Sequence, residues 1–454
     1  MRFRACTAGL LLVLAACGSG TSETAGPPSV LLIVSDDHGL ELGSYGNPSV
    51  TTTFLDRLAA GGMVFDAAYT PTAVCTPSRA ALYTGRVPAR NGCAGFEPIA
   101  EGIPIWGELL GPAGYRTGLV GKLGGKPLER FEFDSFVRTL PADDEARDVT
   151  FYAEEVGRFL DGDDGRPFCL LVNLRDAHFP FPTDGAPTGR EDVSSDPHSP
   201  ESVQVPGFLP DLPEVRSEVA RFYDSVRRLD ATVGSILEEL DGRGLGESTL
   251  VLYTTDHGAP FPFAKTTLYE AGIRIPLIAR WPGGVPVGSR TDALISMTDI
   301  LPTLLELAGA PAEEGMDGRS LVRVLSGETQ AHRDEVFATH TTHRVPPDLP
   351  ARAVVREGWK YIRNFREGSF ENLVLRTSPM WKPILKASLT DPLLADRVAR
   401  LRERPVEELY HIAEDPYEAV DLAGQPEYAE KLEDLRERVR SEMERTGDPL
   451  LAEW

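Results

Sequence analysis

Residues 29–39 read Ser-Val-Leu-Leu-Ile-Val-Ser-Asp-Asp-His-Gly. An unbroken apolar, β-rich run stops abruptly at two carboxylates, an imidazole and a glycine. Such a run fits a strand buried on both faces, as in a parallel sheet. The same design returns in three other places. Residues 117–120 lead into Gly121-Lys122, residues 167–174 into Arg175-Asp176-Ala177-His178, and residues 249–254 into Asp256-His257-Gly258. In open α/β sheets, ligands bind just beyond the carboxyl ends of the strands. Four polar clusters in that position can converge on one rim.

Helical stretches alternate with these strands. Residues 53–61 put Phe54, Leu55 and Leu58 on one face, residues 214–240 repeat apolar side chains at helical spacing, and residues 299–309 form another such stretch. This βα alternation predicts an α/β fold, with a large, mixed, mostly parallel sheet flanked by helices over residues 29–327. Composition shifts after Leu325-Ser326-Gly327. Residues 336–339, 353–356 and 359–364 read as short strands. Residues 426–446 carry Tyr428, Leu432, Leu435, Val439 and Met443 on one stripe, the pattern of an amphipathic cover helix. Residues 328–454 are expected to form a smaller antiparallel sheet with that helix. Residues 183–203, rich in Pro, Asp, Ser and Gly, read as a long loop after His178, either passive or a lid.

At 454 residues, with 41% hydrophobic and 25% charged side chains, the chain has the balance of a folded globular protein. A net charge of −23, from 46 basic and 69 acidic residues, argues against a nucleic-acid partner, which needs a basic footprint. An anionic substrate would need a locally positive pocket. The extreme N-terminus reads as a targeting segment: Arg2 and Arg4, then an apolar run over residues 8–16. Leu14-Ala15-Ala16-Cys17-Gly18 resembles a bacterial lipobox. Residues 1–16 are then a lipoprotein signal peptide, Cys17 the lipidated residue that meets the membrane, and residues 17–28 a tether. That predicts an exported protein of the cell envelope. Cys75, Cys93 and Cys169 remain, an odd number for an exported chain.

Cys75-Thr76-Pro77-Ser78-Arg79 is the sharpest motif. Pro77 suits the first turn of a helix and Gly85 its end. Cys75 at a helix N-terminus, with Arg79 one turn on, makes a nucleophile at an anion site.

The run from Cys75 to Gly85, Cys-x-Pro-Ser-Arg-Ala-x-Leu-x-Thr-Gly, resembles the type I (formylglycine-dependent) sulfatases of the alkaline phosphatase superfamily. So do Asp36-Asp37, Gly121-Lys122, His178 with Pro180, Asp256-His257, Lys265 with Glu270 through Pro276, and Leu409-Tyr410 with Asp415-Pro416. The resemblance implies that Cys75 is oxidised to formylglycine by a separate generating enzyme. Its hydrated aldehyde would attack sulfur. Asp36, Asp37, Asp256, His257 and the modified Cys75 would hold a divalent cation, Ca²⁺ ahead of Mg²⁺. Arg79 would hold the nucleophile, and Lys122, His178 and Lys265 the sulfate. His178 or Lys265 would protonate the leaving group. Three stretches, at residues 175–178, 205–220 and 258–268, resemble the N-sulfoglucosamine sulfohydrolase (sulfamidase) branch.

The expected activity is hydrolysis of a sulfate ester or sulfamate on the terminal residue of a sulfated saccharide. Phosphonate or phosphate ester hydrolysis, and glycan binding without catalysis, are the alternatives. One position departs from the family pattern. Sulfatases have Gly-Lys-x-His, whereas this chain has Gly121-Lys122-Leu123-Gly124. Lys126, His340 and His343 are candidate replacements for the missing donor. His340 and His343 are also candidate substrate contacts from the smaller unit. His38 reads as structural, and Cys93 and Cys169 as buried thiols.

Overall fold

The computed structural model describes residues 26–131, 133–139, 144–343, 348–366, 368 and 373–454. The expected signal peptide over residues 1–16, Cys17 and most of the expected tether over residues 17–28 lie outside the described residues. The main sheet is built from β1 (Ser29–Ser35), β2 (Met63–Tyr69), β3 (Arg116–Gly121), β4 (Ser135–Arg138), β5 (Phe168–Asn173), β6 (Thr249–Thr255), β7 (Arg274–Arg280), β8 (Ser289–Thr291) and β9 (Ile295–Ser296). Their order is β4-β3-β5-β1-β6-β7-β2-β8, with β9 beside β2. Five neighbours, β4, β3, β5, β1 and β6, run parallel, and β7 is antiparallel to both of its neighbours.

β1 lies at the centre, pairing Val30 with Cys169 on one side and with Leu250 on the other. Its alternating side chains feed two cores. Val30, Leu32 and Val34 pack with Leu82, Tyr83, Leu301 and Leu304 on one face. Leu31 and Ile33 pack with Leu229, Val233 and Ile236 of the long helix Pro213–Gly242 on the other. Coverage of both faces is what allows an unbroken apolar strand, since each buried aliphatic side chain contributes roughly 1.5–3 kcal/mol. The first helix, α1 (Thr53–Ala60), has no cap from its own N-cap side chain. Asp230 of the long helix accepts the Phe54 and Leu55 amides instead, at 3.1 and 2.8 Å.

The smaller sheet holds β10 (Glu335–His340), β11 (Ala351–Arg356), β12 (Trp359–Asn364) and β13 (Glu407–Tyr410), antiparallel in chain order. One face is covered by the helix Ala429–Thr446, which buries Leu435, Val439 and Met443 against Val354, Tyr361 and Leu409. The other face packs Val336, Ala338 and Ala353 against Tyr69, Leu268 and Ile273 of the larger unit. Lys360, fully buried, reaches Glu270 at 2.7 Å and Glu418 at 2.8 Å, pinning the two units together.

Two features differ from the sequence reading. Helices Trp381–Ser388 and Pro392–Arg402 occupy a stretch without an assignment. They bury Trp381, Ile384, Leu394 and Val398 with Val215 and Val219 of the long helix. The 183–203 loop is not a lid over the site. His198 Nδ1 lies 2.7 Å from Asp224, and Arg190 pairs with Glu238 at 2.7 Å. Both partners belong to the long helix, so these contacts hold the loop along that helix.

Candidate active site

The carboxyl ends of β1, β3, β5 and β6 bring their four polar clusters to one rim, as the strand register requires. Asp36 and Asp37 follow β1, Lys122 follows β3, Arg175 to His178 follow β5, and Asp256 and His257 follow β6. The second helix, α2 (Cys75–Thr84), points its N-terminus at this rim. Val74 offers no side-chain cap, so the first-turn amides of α2 favour an anion there. Gly85 ends the helix at φ +63°, a conformation open to glycine. Ser78 and Arg79, fully buried, fasten α2 to the strand ends. Ser78 donates to the Asp256 carbonyl at 2.6 Å, and Arg79 donates to Asp256 Oδ2 at 3.1 Å and to the Ser35 carbonyl at 3.2 Å.

Asp37, Asp256 and His257 offer ligand atoms all within 4.8 Å of one another. Asp36 stands beside them, 3.8 Å from Arg79 Nη2. Three buried carboxylates in one place are costly unless cations balance them. Lys122 Nζ lies 2.5 Å from Asp36 Oδ2 and Arg175 3.2 Å from the same oxygen. Lys265 donates to both oxygens of Asp37, at 2.7 and 2.6 Å. Burial raises the Asp36 and Asp37 carboxyls, but Lys122 for the first and Lys265 for the second hold them below the usual range. Asp256 is pushed up, by burial and then by the Asp36 charge.

This donor set fits a hard divalent cation. Among the described residues, Asp36 Oδ1 and His257 Nε2 are buried without a hydrogen-bond partner. His257 Nδ1 lies 3.0 Å from the Gly258 carbonyl, which leaves Nε2 turned to Asp37 Oδ1 at 3.2 Å. Asp37 sits at φ +59°, a strained backbone of the kind found at functional sites.

A cavity of about 540 Å³ opens over the rim. Cys75, Lys122, His178 and Lys265 line it. Burial would raise the Cys75 thiol, but Lys122, His257 and Lys265 outweigh it and bring the group down to about 7. His178 is lowered to about 3 by burial, against the pull of Asp37, and its Nε2 lies 3.7 Å from that carboxylate. His38 is structural: it is buried, with Nδ1 2.7 Å from the Tyr253 hydroxyl. Cys93 and Cys169 lie in the apolar core.

The three candidate replacements for the missing histidine separate. Lys126 is exposed at the mouth of the cavity and donates to the Phe96 carbonyl at 3.5 Å. His343 lines the cavity, its ring 5.9 Å from Phe96. His340 does not line it. The side chains of β10 alternate, and Val336, Ala338 and His340 share the buried side. Gly124 has φ +62°, and a Cβ there would lie 2.5 Å from Arg79 Cδ. The turn after Lys122 therefore crosses the Arg79 stem, where a side chain would collide.

Arg175 and Asp176 were legible in the sequence as members of the cluster after residues 167–174, but without a role. Arg175 supports Asp36. Asp176 is held by Arg228 at 2.6 Å and Arg147 at 2.5 Å, and its carbonyl accepts the Asp36 amide at 3.0 Å. Leu373, Val374, Thr377 and Met380 wall the cavity from the C-terminal part, and nothing local marks them.

Comparison with known proteins agrees with this geometry. The Sulfatase family profile matches residues 28–310, and the chain belongs to that family. It is a sulfatase, an enzyme class that hydrolyses sulfate esters or sulfamates. A second profile, "N-sulphoglucosamine sulphohydrolase, C-terminal", matches residues 257–391. Human N-sulphoglucosamine sulphohydrolase is 30% identical over 98% of this chain and 94% of that protein. An ulvan-active sulfatase of Formosa agariphila is 29% identical over 93% of this chain and 81% of its own. Among solved structures, a protein in complex with its substrate D-glucosamine-2-N,6-O-disulfate superposes with a TM-score of 0.70 at 20% identity, covering 93% of this chain and 99% of the other. The phosphonate monoester hydrolase of Agrobacterium radiobacter does so with a TM-score of 0.69 at 18% identity, covering 92% and 96%.

Proposed function

We propose that the enzyme removes a sulfate ester or sulfamate from the terminal residue of a sulfated saccharide. Formylglycine made from Cys75 would supply the hydroxyl that attacks sulfur. A divalent cation, Ca²⁺ ahead of Mg²⁺, held by Asp36, Asp37, Asp256 and His257, would draw charge from a sulfate oxygen.

The observation that carries this reading is the meeting of Cys75 with two lysines against a buried carboxylate cluster. Lys122 and Lys265 put fixed positive charge where a sulfate oxygen would bear negative charge. Arg79 keeps Asp36 and Asp256 in place and the helix dipole aimed at residue 75. Lys265 stays protonated beside Asp37, whereas burial keeps His178 neutral, so Lys265 is the better-charged donor to a leaving oxygen or nitrogen. The similarity to N-sulphoglucosamine sulphohydrolase supports an amino sugar as substrate. The lipobox-like residues 14–18 support export and a lipid anchor at Cys17.

Mass spectrometry of the peptide holding residue 75, from a host with the generating enzyme, is the first test. Conversion lowers the mass by about 18 Da and makes this residue the nucleophile. Converted enzyme should then release sulfate from N-sulfo or O-sulfo glucosamine, and Cys75→Ala should not. Faster turnover of phosphonate or phosphate esters would refute the sulfated-saccharide reading.

A further inference from the structure

The cavity reverses the charge balance of the chain. The whole sequence has 46 basic and 69 acidic residues. Five basic residues line the cavity (Lys122, Lys126, Arg138, Arg175 and Lys265) against the acidic Asp37 and Glu218. Three of the five are committed to the reaction centre: Lys122 and Arg175 to Asp36, and Lys265 to Asp37. Glu218 is taken by Arg221 at 2.7 Å.

Lys126 and Arg138 are different. Both are exposed, and among the described residues neither makes an ion pair. Their places follow from topology. Arg138 ends β4, the outermost strand, in register with Gly121 at the end of β3. Lys126 leaves β3 by the Gly124-Gly125 turn. Strand β4 stands three places from β1 in the sheet. At about 4.8 Å per strand, Arg138 is rooted roughly 14 Å from the carboxylates, and it lines the same cavity. The lining also includes the rings of Phe96 and Phe179, surfaces suited to the C–H face of a sugar ring.

We propose that Lys126 and Arg138 form a second anion subsite, so that the preferred substrate carries a further anionic group besides the sulfate that is cleaved. This rests on the sulfated-saccharide reading and narrows it. The second group is an O-sulfate on the same sugar or the carboxylate of a neighbouring uronic acid, since either meets a lysine and an arginine alike. On an acidic protein such a subsite also gathers the substrate at the mouth and excludes uncharged sugars.

Binding to the full-length Cys75→Ala protein, measured by calorimetry, tests the proposal without requiring turnover. The probes are D-glucosamine N-sulfate, D-glucosamine-2-N,6-O-disulfate, and N-sulfoglucosamine linked to a uronic acid. One or both doubly anionic probes should bind at least tenfold more tightly than the monosulfate, and the better one names the source of the second charge. Adding Arg138→Ala or Lys126→Ala should each remove about tenfold of that preference while leaving the monosulfate Kd unchanged. In the converted enzyme the same substitutions should raise KM for the doubly anionic substrate and leave kcat intact.

Equal affinity for all probes overturns the proposal. So does an equal loss for every probe, or a fall in kcat on both substrate types for Lys126→Ala, which would make Lys126 the replacement for the missing histidine. A preserved binding preference without hydrolysis of any probe would instead overturn the reaction proposed above and leave the subsite standing.

Discussion

Protein made without the generating enzyme keeps Cys75 as a thiol, and that thiol reports the field of the site. Its ordinary value of 9.0 is brought to about 7. The displacement corresponds to about 2.7 kcal/mol in favour of the thiolate. Burial opposes it, so Lys122, His257 and Lys265 supply more than the net amount. At pH 7 a thiol titrating at 9 is ~1% ionised and one titrating at 7 about half ionised, a ratio of roughly 50. Alkylation by iodoacetamide in the presence of a chelator, read peptide by peptide across pH 5 to 10, measures this. Cys75 should react with a midpoint near 7. Cys93, raised to about 12 by burial, and Cys169, raised further, should stay unreacted and serve as internal controls. Lys122→Ala removes the largest favourable contribution and should raise the midpoint by about one pH unit, some 1.4 kcal/mol, with a severalfold slower reaction at pH 7. A wild-type midpoint above 8.5, or one indifferent to Lys122, would refute the electrostatic reading of the site.

Three further outcomes are expected. Ca²⁺ at a hundredfold excess over its Kd should stabilise the protein by about 2.7 kcal/mol in thermal melts, and Asp256→Ala should abolish the effect. Gly124→Ala should lower sulfatase activity at least tenfold and lower Tm, because the new Cβ meets Arg79 Cδ and the positive φ adds roughly 1 kcal/mol of strain. Retention of full activity would show that the turn can move off Arg79. Asp230 is raised from 3.8 to about 7 by burial, outweighing the Leu55 and Phe54 amides it accepts. Its folded value is the higher one, so the folded state binds the extra proton. Stability from this group is full below pH 4 and falls by up to about 4 kcal/mol as pH rises to 7. The difference in unfolding free energy between wild type and Asp230→Asn should shrink by that amount over this range; a flat difference would mean that Asp230 is ionised throughout.

Much of the site was readable because its chemistry sits at the ends of strands. An apolar run that must be buried on both faces, followed at once by Asp, Lys or His, announces a sheet edge and a functional group together. That is how Asp36, Asp37, Lys122, His178 and Asp256 became candidates. Cys75 and Arg79 announced themselves by helix grammar, with Pro77 inside the first turn and Gly85 after the last. The antiparallel strands from β10 to β12 and the stripe of Leu435, Val439 and Met443 were likewise local patterns.

Partner choice was not local. His340 and His343 are three residues apart in one run, yet β10 turns the first into the core and only the second lines the cavity. Arg175 was legible as part of a polar cluster beyond a strand, but its partner Asp36 lies across the sheet, 139 positions away in the chain. The wall formed by Leu373, Val374, Thr377 and Met380 has no composition that marks it as a binding surface, because its role comes from lining the same cavity as Lys122 and Lys265. Even the meaning of Gly124 depends on Arg79, which crosses the space a side chain would need. Sequence alone determined what each segment buries and what chemistry it carries, since hydrophobic period and residue type act over a few positions. The tertiary structure decided which charges meet and which side chains face the cavity. Those contacts join residues that only the packed sheet brings together.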